Sequence, residues 1–237
     1  MEIIMALDAK NFDSIMGRVF NGITLNTTKA LFPTIKDIAE DERLLFIGLA
    51  GAVSYCFRGN REHIAMSPEA LFKQFPLRLA SVQEAADIVD GGRDALADFI
   101  YDGVGGNVPG THDGSRYMGR GFLQIRGRTQ YTDFAQDRPD LAEAVTADPD
   151  VVATNININV ATTIWWWNKY IHPHYVSETG SHLVQYEKLR LGTRIVEKSG
   201  TKIDYSTASN IHGFAENFFR SINLPEGPET LNFPLWR

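Results

Sequence analysis

Apolar side chains recur at intervals of three and four along most of this chain, so most of it reads as helix. Residues 9–20 and 28–40 carry the amphipathic pattern, and the second run opens after Asn26-Thr27-Thr28, whose amide and hydroxyl groups can cap free helix amides. Residues 44–57 are apolar on most faces, which places that helix at the centre of a globule. Ser67-Pro68-Glu69 predicts a helix start, with serine as N-cap and proline at the first helical position. Ser81 opens a short helix to Val89, Gly91-Gly92 ends it, and another follows over 93–101. The Gly, Asn, Pro and Asp of 102–116 predict a loop. Further helices are expected at 128–136, 139–146, 157–170, 182–198 and 207–222. Phe122-Leu123-Gln124-Ile125 alternates instead, predicting a short strand that buries Phe122 or Leu123 beside Ile125 and turns Gln124 toward a groove. The expected class is mainly α (α+β), with one small β element.

With 237 residues and 43% hydrophobic content, the chain can bury a full core in one domain. No repeat or low-complexity tract divides it, so residues 1–222 are expected to form that domain and 223–237 an extended tail. A net charge of −6 and a pI near 5.5 argue against avid nucleic-acid binding and offer no attraction to anionic wall polymers. Cys56 stands alone in an apolar setting and reads as a buried, inert thiol, so neither a disulfide within the chain nor a cysteine-rich metal site is expected. The first residues lack a basic then apolar leader, and no run of about 18 apolar residues suggests a membrane span. The expectation is a protein made in a cytoplasm, with no cofactor and no membrane partner.

The segment from Ser115 to Tyr131 carries the chemistry. Gly119 and Gly121 flank Arg120 where the backbone must turn tightly or approach a ligand closely. Gln124 offers both a donor and an acceptor suited to sugar hydroxyls and N-acetyl groups. A lone Gly-Arg-Gly is otherwise an ordinary turn leading into an edge strand. Here the longer pattern, Tyr117-x-Gly119-Arg120-Gly121-x-x-Gln124-Ile125-x-Gly127-Arg128-x-x-Tyr131, resembles the segment lining the sugar groove of family 19 chitinases and of related phage and bacterial endolysins in the lysozyme-like superfamily.

Three other segments extend that resemblance over about 25–222. Glu62-His63-Ile64-Ala65-Met66-Ser67 matches the stretch with the family's second glutamate, Leu71 to Pro76 its Leu-x-x-x-Phe-Pro segment, and Trp165-Trp166-Trp167 its aromatic helix. The resemblance implies a two-lobed lysozyme-like fold, a sugar groove lined by Tyr117, Arg120, Gln124, Gln130 and Tyr131, and Glu62 as a catalytic carboxylate. It also shows what is missing. The family's general-acid glutamate falls on Val53, which cannot donate a proton, whereas inverting hydrolysis needs two carboxyl groups roughly 6.5–9.5 Å apart. Arg126 stands where a hydroxyl residue helps to hold the attacking water, Gln130 replaces an asparagine, and the Asn-Gly-Gly type turn after Thr193-Arg194-Ile195 is altered.

Several residues also have plainer readings. Glu62 stands among Arg58, Arg61 and His63, where it could be a solvated ion-pair partner. Glu69 suits the first turn of a helix. His172 and His174 flank Pro173 and have no third ligand nearby, so no metal site is expected. Successive helical residues differ by about 100°, so at least one of the three tryptophans is expected to meet the groove, a lobe boundary or a partner. Phe233, Leu235 and Trp236 give the tail an apolar end suited to docking or self-association. The function expected is a lysozyme-like domain with a degenerate active site, serving as a phage virion component of tail or baseplate or as a glycan-binding protein. The alternative is an active endolysin or chitinase that cleaves β-1,4 bonds of peptidoglycan or chitin through Glu62.

Overall fold

The computed structural model describes residues 60–173, and that region is mainly helical. Its helices are α1 (Pro68–Gln74), α2 (Val82–Asp90), α3 (Gly92–Ile100), α4 (Asp113–Arg116), α5 (Gly127–Asp137), α6 (Pro139–Ala147), α7 (Val151–Thr154) and α8 (Ile156–Trp166), followed by a π-helical turn, Trp167–Ile171. The chain divides into two compact units, Gly59–Thr162 and the combination of Met1–Arg58 with Thr163–Arg237. The helices expected at 9–20, 28–40, 44–57, 182–198 and 207–222 lie outside the described residues, as do Val53, Cys56 and the tail with Phe233, Leu235 and Trp236.

Local chemistry explains the starts of the helices. Ser67 Oγ accepts the Ala70 amide at 3.2 Å to open α1, with Pro68 in the first turn. Ser81 Oγ accepts the Glu84 amide at 3.1 Å to open α2, while the Glu84 carboxylate reaches back to the Ala80 amide at 2.6 Å. That reciprocal pair is a variant of the capping box. At α5 the cap is assembled from a distance: Gln130 Oε1 accepts the Arg126 amide at 2.9 Å, and Asn107 Oδ1 accepts the Arg128 amide at 2.9 Å. Asn107 also donates to Tyr101 O, so the loop after α3 is tied to the start of α5.

Helices α1, α2 and α3 enclose one core cluster of Leu71, Leu79, Ala85 and Leu96, with Phe75 and Phe99 edge-to-face at 5.5 Å beside it. Arg78 lies over both rings and donates to Phe99 O at 2.6 Å, which closes the rim. Helices α5 and α6 pack on each other, burying Tyr131, Phe134 and Val145.

Two expectations change. The loop expected over 102–116 contains α4, whose first residue, Asp113, is buried and accepts both the Val108 amide and an Arg128 N–H. The strand expected at 122–125 does not form: among the described residues there are only two isolated bridges, Arg61 with Arg120 and Arg120 with Ile125. Gly121 at φ 80° and Gln124 at φ 54° lie in the left-handed region, so the backbone turns over and the alternation is lost. Phe122, Leu123, Gln124 and Ile125 are all buried, and Asn159 of α8, fully buried itself, accepts the Phe122 amide at 2.9 Å. Trp165, Trp166 and Trp167 are all buried, and a π-helical turn starts at Trp167. No helix of the described residues is long and apolar enough to cross a membrane.

Leu71 has no exposed surface at the centre of the first cluster. Leu71→Ala is expected to destabilise the protein by about 2–5 kcal/mol, the usual range for an aliphatic truncation that leaves a cavity. Urea denaturation monitored by circular dichroism measures it, and a loss below about 1 kcal/mol would contradict the packing described.

Candidate functional site

The segment 60–62 runs antiparallel to 119–121. The Glu62 amide donates to Gly119 O at 2.8 Å, and the Gly121 amide donates to Asn60 O at 2.7 Å. Extended backbone sends successive side chains to opposite faces. Arg61 therefore leaves on one side and Glu62 on the other.

Glu62 is only 6% exposed. Its Oε1 accepts the Tyr101 hydroxyl at 2.6 Å and Arg126 Nη2 at 2.5 Å, and its Oε2 accepts the Gly119 amide at 3.0 Å. The solvated pairing among Arg58, Arg61 and His63 considered above is thus corrected: the partner is Arg126, far along the chain, while Arg61 pairs with Asp150 and His63 is exposed. Burial pushes the Tyr101 phenol well above its ordinary range, opposed by Arg126 and reinforced by Glu62, so the hydroxyl keeps its proton and donates it. The Arg126 guanidinium also lies 5.0 Å over the Tyr101 ring. At Gly119 a Cβ would stand 2.7 Å from Gln124 Oε1 and 3.0 Å from Glu62 Oε2, so any larger residue would make those two groups shift. The close approach inferred for this glycine is to the protein's own side chains.

The other residues that the resemblance assigns to a groove divide by what they touch. Arg120 is buried and donates to Asp150, Arg116 O, Met118 O and the Tyr131 hydroxyl, so its hydrogen bonds are internal. Tyr131 is 3% exposed, donates to Met118 O at 3.1 Å, and is pushed up to about 12, chiefly by burial, with Arg120 acting against the shift. Half-buried Tyr117 lies 5.4 Å from the Tyr131 ring, tilted by 51°. Gln130 caps α5 through its carbonyl. Gln124 donates to Gly121 O at 2.7 Å, and its buried Oε1 has no hydrogen-bond partner among the described residues. That leaves a buried acceptor beside the Glu62 carboxylate.

Two residues central to this arrangement escaped the sequence reading. Tyr101 ends α3 and is 39 positions from Glu62, with no local pattern to connect them. Asp150 grips Arg61 through both carboxylate oxygens and Arg120 Nε at 3.1 Å. The Arg61 hydrogen bond is the largest cause that holds its carboxyl down at about 2, with Arg120 adding to it against desolvation. Among the described residues, no group of three or more His, Cys, Asp or Glu is placed to hold a metal ion.

No family model matches the chain. Over 76 residues it is 34% identical to a glycosyl hydrolase family 19 domain-containing protein of Haemophilus influenzae (strain ATCC 51907 / DSM 11121 / KW20 / Rd). The match takes in 32% of this chain and 36% of that relative, so the chain spans about a third of the relative's length. The similarity supports a chitinase- or lysozyme-like domain.

Two outcomes test the geometry. Tyr101→Phe removes a donor to a buried carboxylate and is expected to cost about 1.5–3 kcal/mol in chemical denaturation, whereas a cost near zero would mean that the phenol does not anchor Glu62. Asp150 has a folded-state pKa below its ordinary value, so its contribution is present above pH 4 and lost as pH falls toward 2. Stability measured from pH 5 to 2 should fall less steeply in Asp150→Asn than in the parent protein; parallel curves would contradict the assignment.

Proposed function

We propose that this chain is a chitinase- and endolysin-like domain that holds glycan without cleaving it. The observation that carries the reading is the state of Glu62, a buried carboxylate accepting from Tyr101, Arg126 and Gly119. A general base must present a lone pair to a water poised at the scissile carbon. Of about four acceptor sites on the carboxylate, three are committed, and an arginine stands where the resemblance calls for a water-holding hydroxyl. An inverting mechanism also requires a carboxylic acid to protonate the leaving oxygen. The resemblance assigns that role to the position of Val53. Gln124, with its free buried carbonyl, and half-buried Tyr117 are the residues proposed to contact sugar.

Loss of general acid catalysis removes about 10²–10⁴-fold in rate, and loss of the water-holder removes more. Purified protein is therefore expected to release no reducing ends from peptidoglycan or chitotetraose, while chitotetraose at millimolar concentration perturbs the NMR resonances of Gln124 and Tyr117. Hydrolysis that Glu62→Gln abolishes would establish the rival reading of an active hydrolase.

A further inference from the structure

Asp98, near the end of α3, ties that helix to α4 through both carboxylate oxygens. Its Oδ1 accepts the Ser115 amide at 2.6 Å, and its Oδ2 accepts the His112 Nδ1–H at 2.7 Å. His112 stands at the cap position of α4 but its side chain caps no amide there, so a carboxylate from the neighbouring helix takes that place. The close approach depends on Gly114, where a Cβ would stand 2.5 Å from both Ala97 O and Asp98 Cα, backbone atoms that cannot swing aside. The two partners differ in exposure. The Asp98 side chain is 18% exposed, whereas that of His112 is 95% exposed and exchanges its proton directly with solvent.

Between these two anchors runs the segment 102–111, whose neck is closed again where Asp102 Oδ1 accepts the Gly110 amide at 2.7 Å. The segment follows Tyr101, the donor to Glu62, and within it Asn107 binds both Tyr101 O and the Arg128 amide. The other charged groups on these elements are engaged elsewhere: on α3 Asp94 pairs with Arg93, on α4 Asp113 pairs with Arg128 and Arg116 reaches Thr146 O, and Asp102 pairs with Arg78. Among the described residues, Asp98 is the charged group that acts on the imidazole. We propose that Asp98 and His112 form a pH-sensitive latch across the two ends of the segment 102–111, closed when the imidazole is protonated and loosened when it is neutral. Asp98 raises the His112 pKa above its ordinary value, first through the hydrogen bond and then through its charge, with desolvation acting against it. A group whose pKa is raised by folding contributes its stability in full below the unfolded value of about 6.5 and loses it as pH rises through the folded value. The neutral ring still donates from Nδ1, so the latch loosens without parting. An exposed pair contributes modestly, and the expected change in the opening equilibrium is about two- to fivefold. The latch uses no group proposed to touch sugar, so its test is separate from that of the glycan reading.

The test is amide hydrogen exchange in the full chain at about pH 5.5 and 8, which bracket the titration of histidine, with each rate divided by that of the unfolded chain at the same pH. Protection of the Val108, Gly110 and Ser115 amides is expected to fall about two- to fivefold between the two conditions, while that of the Leu71 amide, in the first core cluster, stays level. His112→Gln, at an exposed position, keeps a donor and removes the titration, so the same three amides should show equal protection at both pH values. The His112 ring resonance, followed by NMR, should titrate at lower pH in Asp98→Asn than in the parent protein. Unchanged protection in the parent would overturn the proposal, as would a pH dependence that His112→Gln preserves. So would a fall at Leu71 in step with the other amides, which would mean a general loss of stability, or a His112 titration that Asp98→Asn leaves unmoved.

Discussion

A guanidinium cannot lose its charge inside a protein, so a buried arginine must find acceptors for its N–H groups or the structure around it cannot persist. Arg120 meets that demand with Asp150, three backbone carbonyls and the Tyr131 hydroxyl. Those acceptors come from α4 and the residues just after it, from the interior of α5 and from the segment before α7, so one side chain fixes the relative positions of three parts of the unit Gly59–Thr162. Its backbone meanwhile carries both isolated bridges. The seat for Glu62 exists because this residue is held in place from both its main chain and its side chain.

The same logic separates structure from chemistry around Glu62. A carboxylate used to activate water is only partly satisfied by the protein, because water or substrate must complete its shell. Around Glu62 the protein itself supplies three donors, Tyr101, Arg126 and the Gly119 amide, and the ion pair between this buried carboxylate and the partly exposed Arg126 ties the end of α3 to the start of α5. Breaking such a pair costs more than never having made it, since one buried charge is left alone.

Much of the helical architecture could be read from the sequence because its determinants are local. Ser67-Pro68 and Ser81 supply caps within one turn, and the helices expected at 128–136 and 139–146 appear as α5 and α6 with ends shifted by only a residue. The strand at 122–125 was misread because period-two alternation says nothing of backbone sign: Gln124 adopts a left-handed φ that its side chain does not announce. The site was legible in part. Glu62, Gln124 and Arg126 do converge around Gly119, but Tyr101 and Asp150 enter from 39 and 89 positions away, where only three-dimensional packing connects them.

The three-residue segment 60–62 also acts as a selector of register. Its neighbouring side chains carry opposite charges to opposite faces, Arg61 toward Asp150 and Glu62 toward Arg126. A slip of one residue would bring Arg61 against Arg126 in one direction, or Glu62 against Asp150 in the other, setting like charges together on one side either way. The alternation disfavours the neighbouring alignments of this segment, so a single bridge suffices where a longer ladder would otherwise be needed to choose among them.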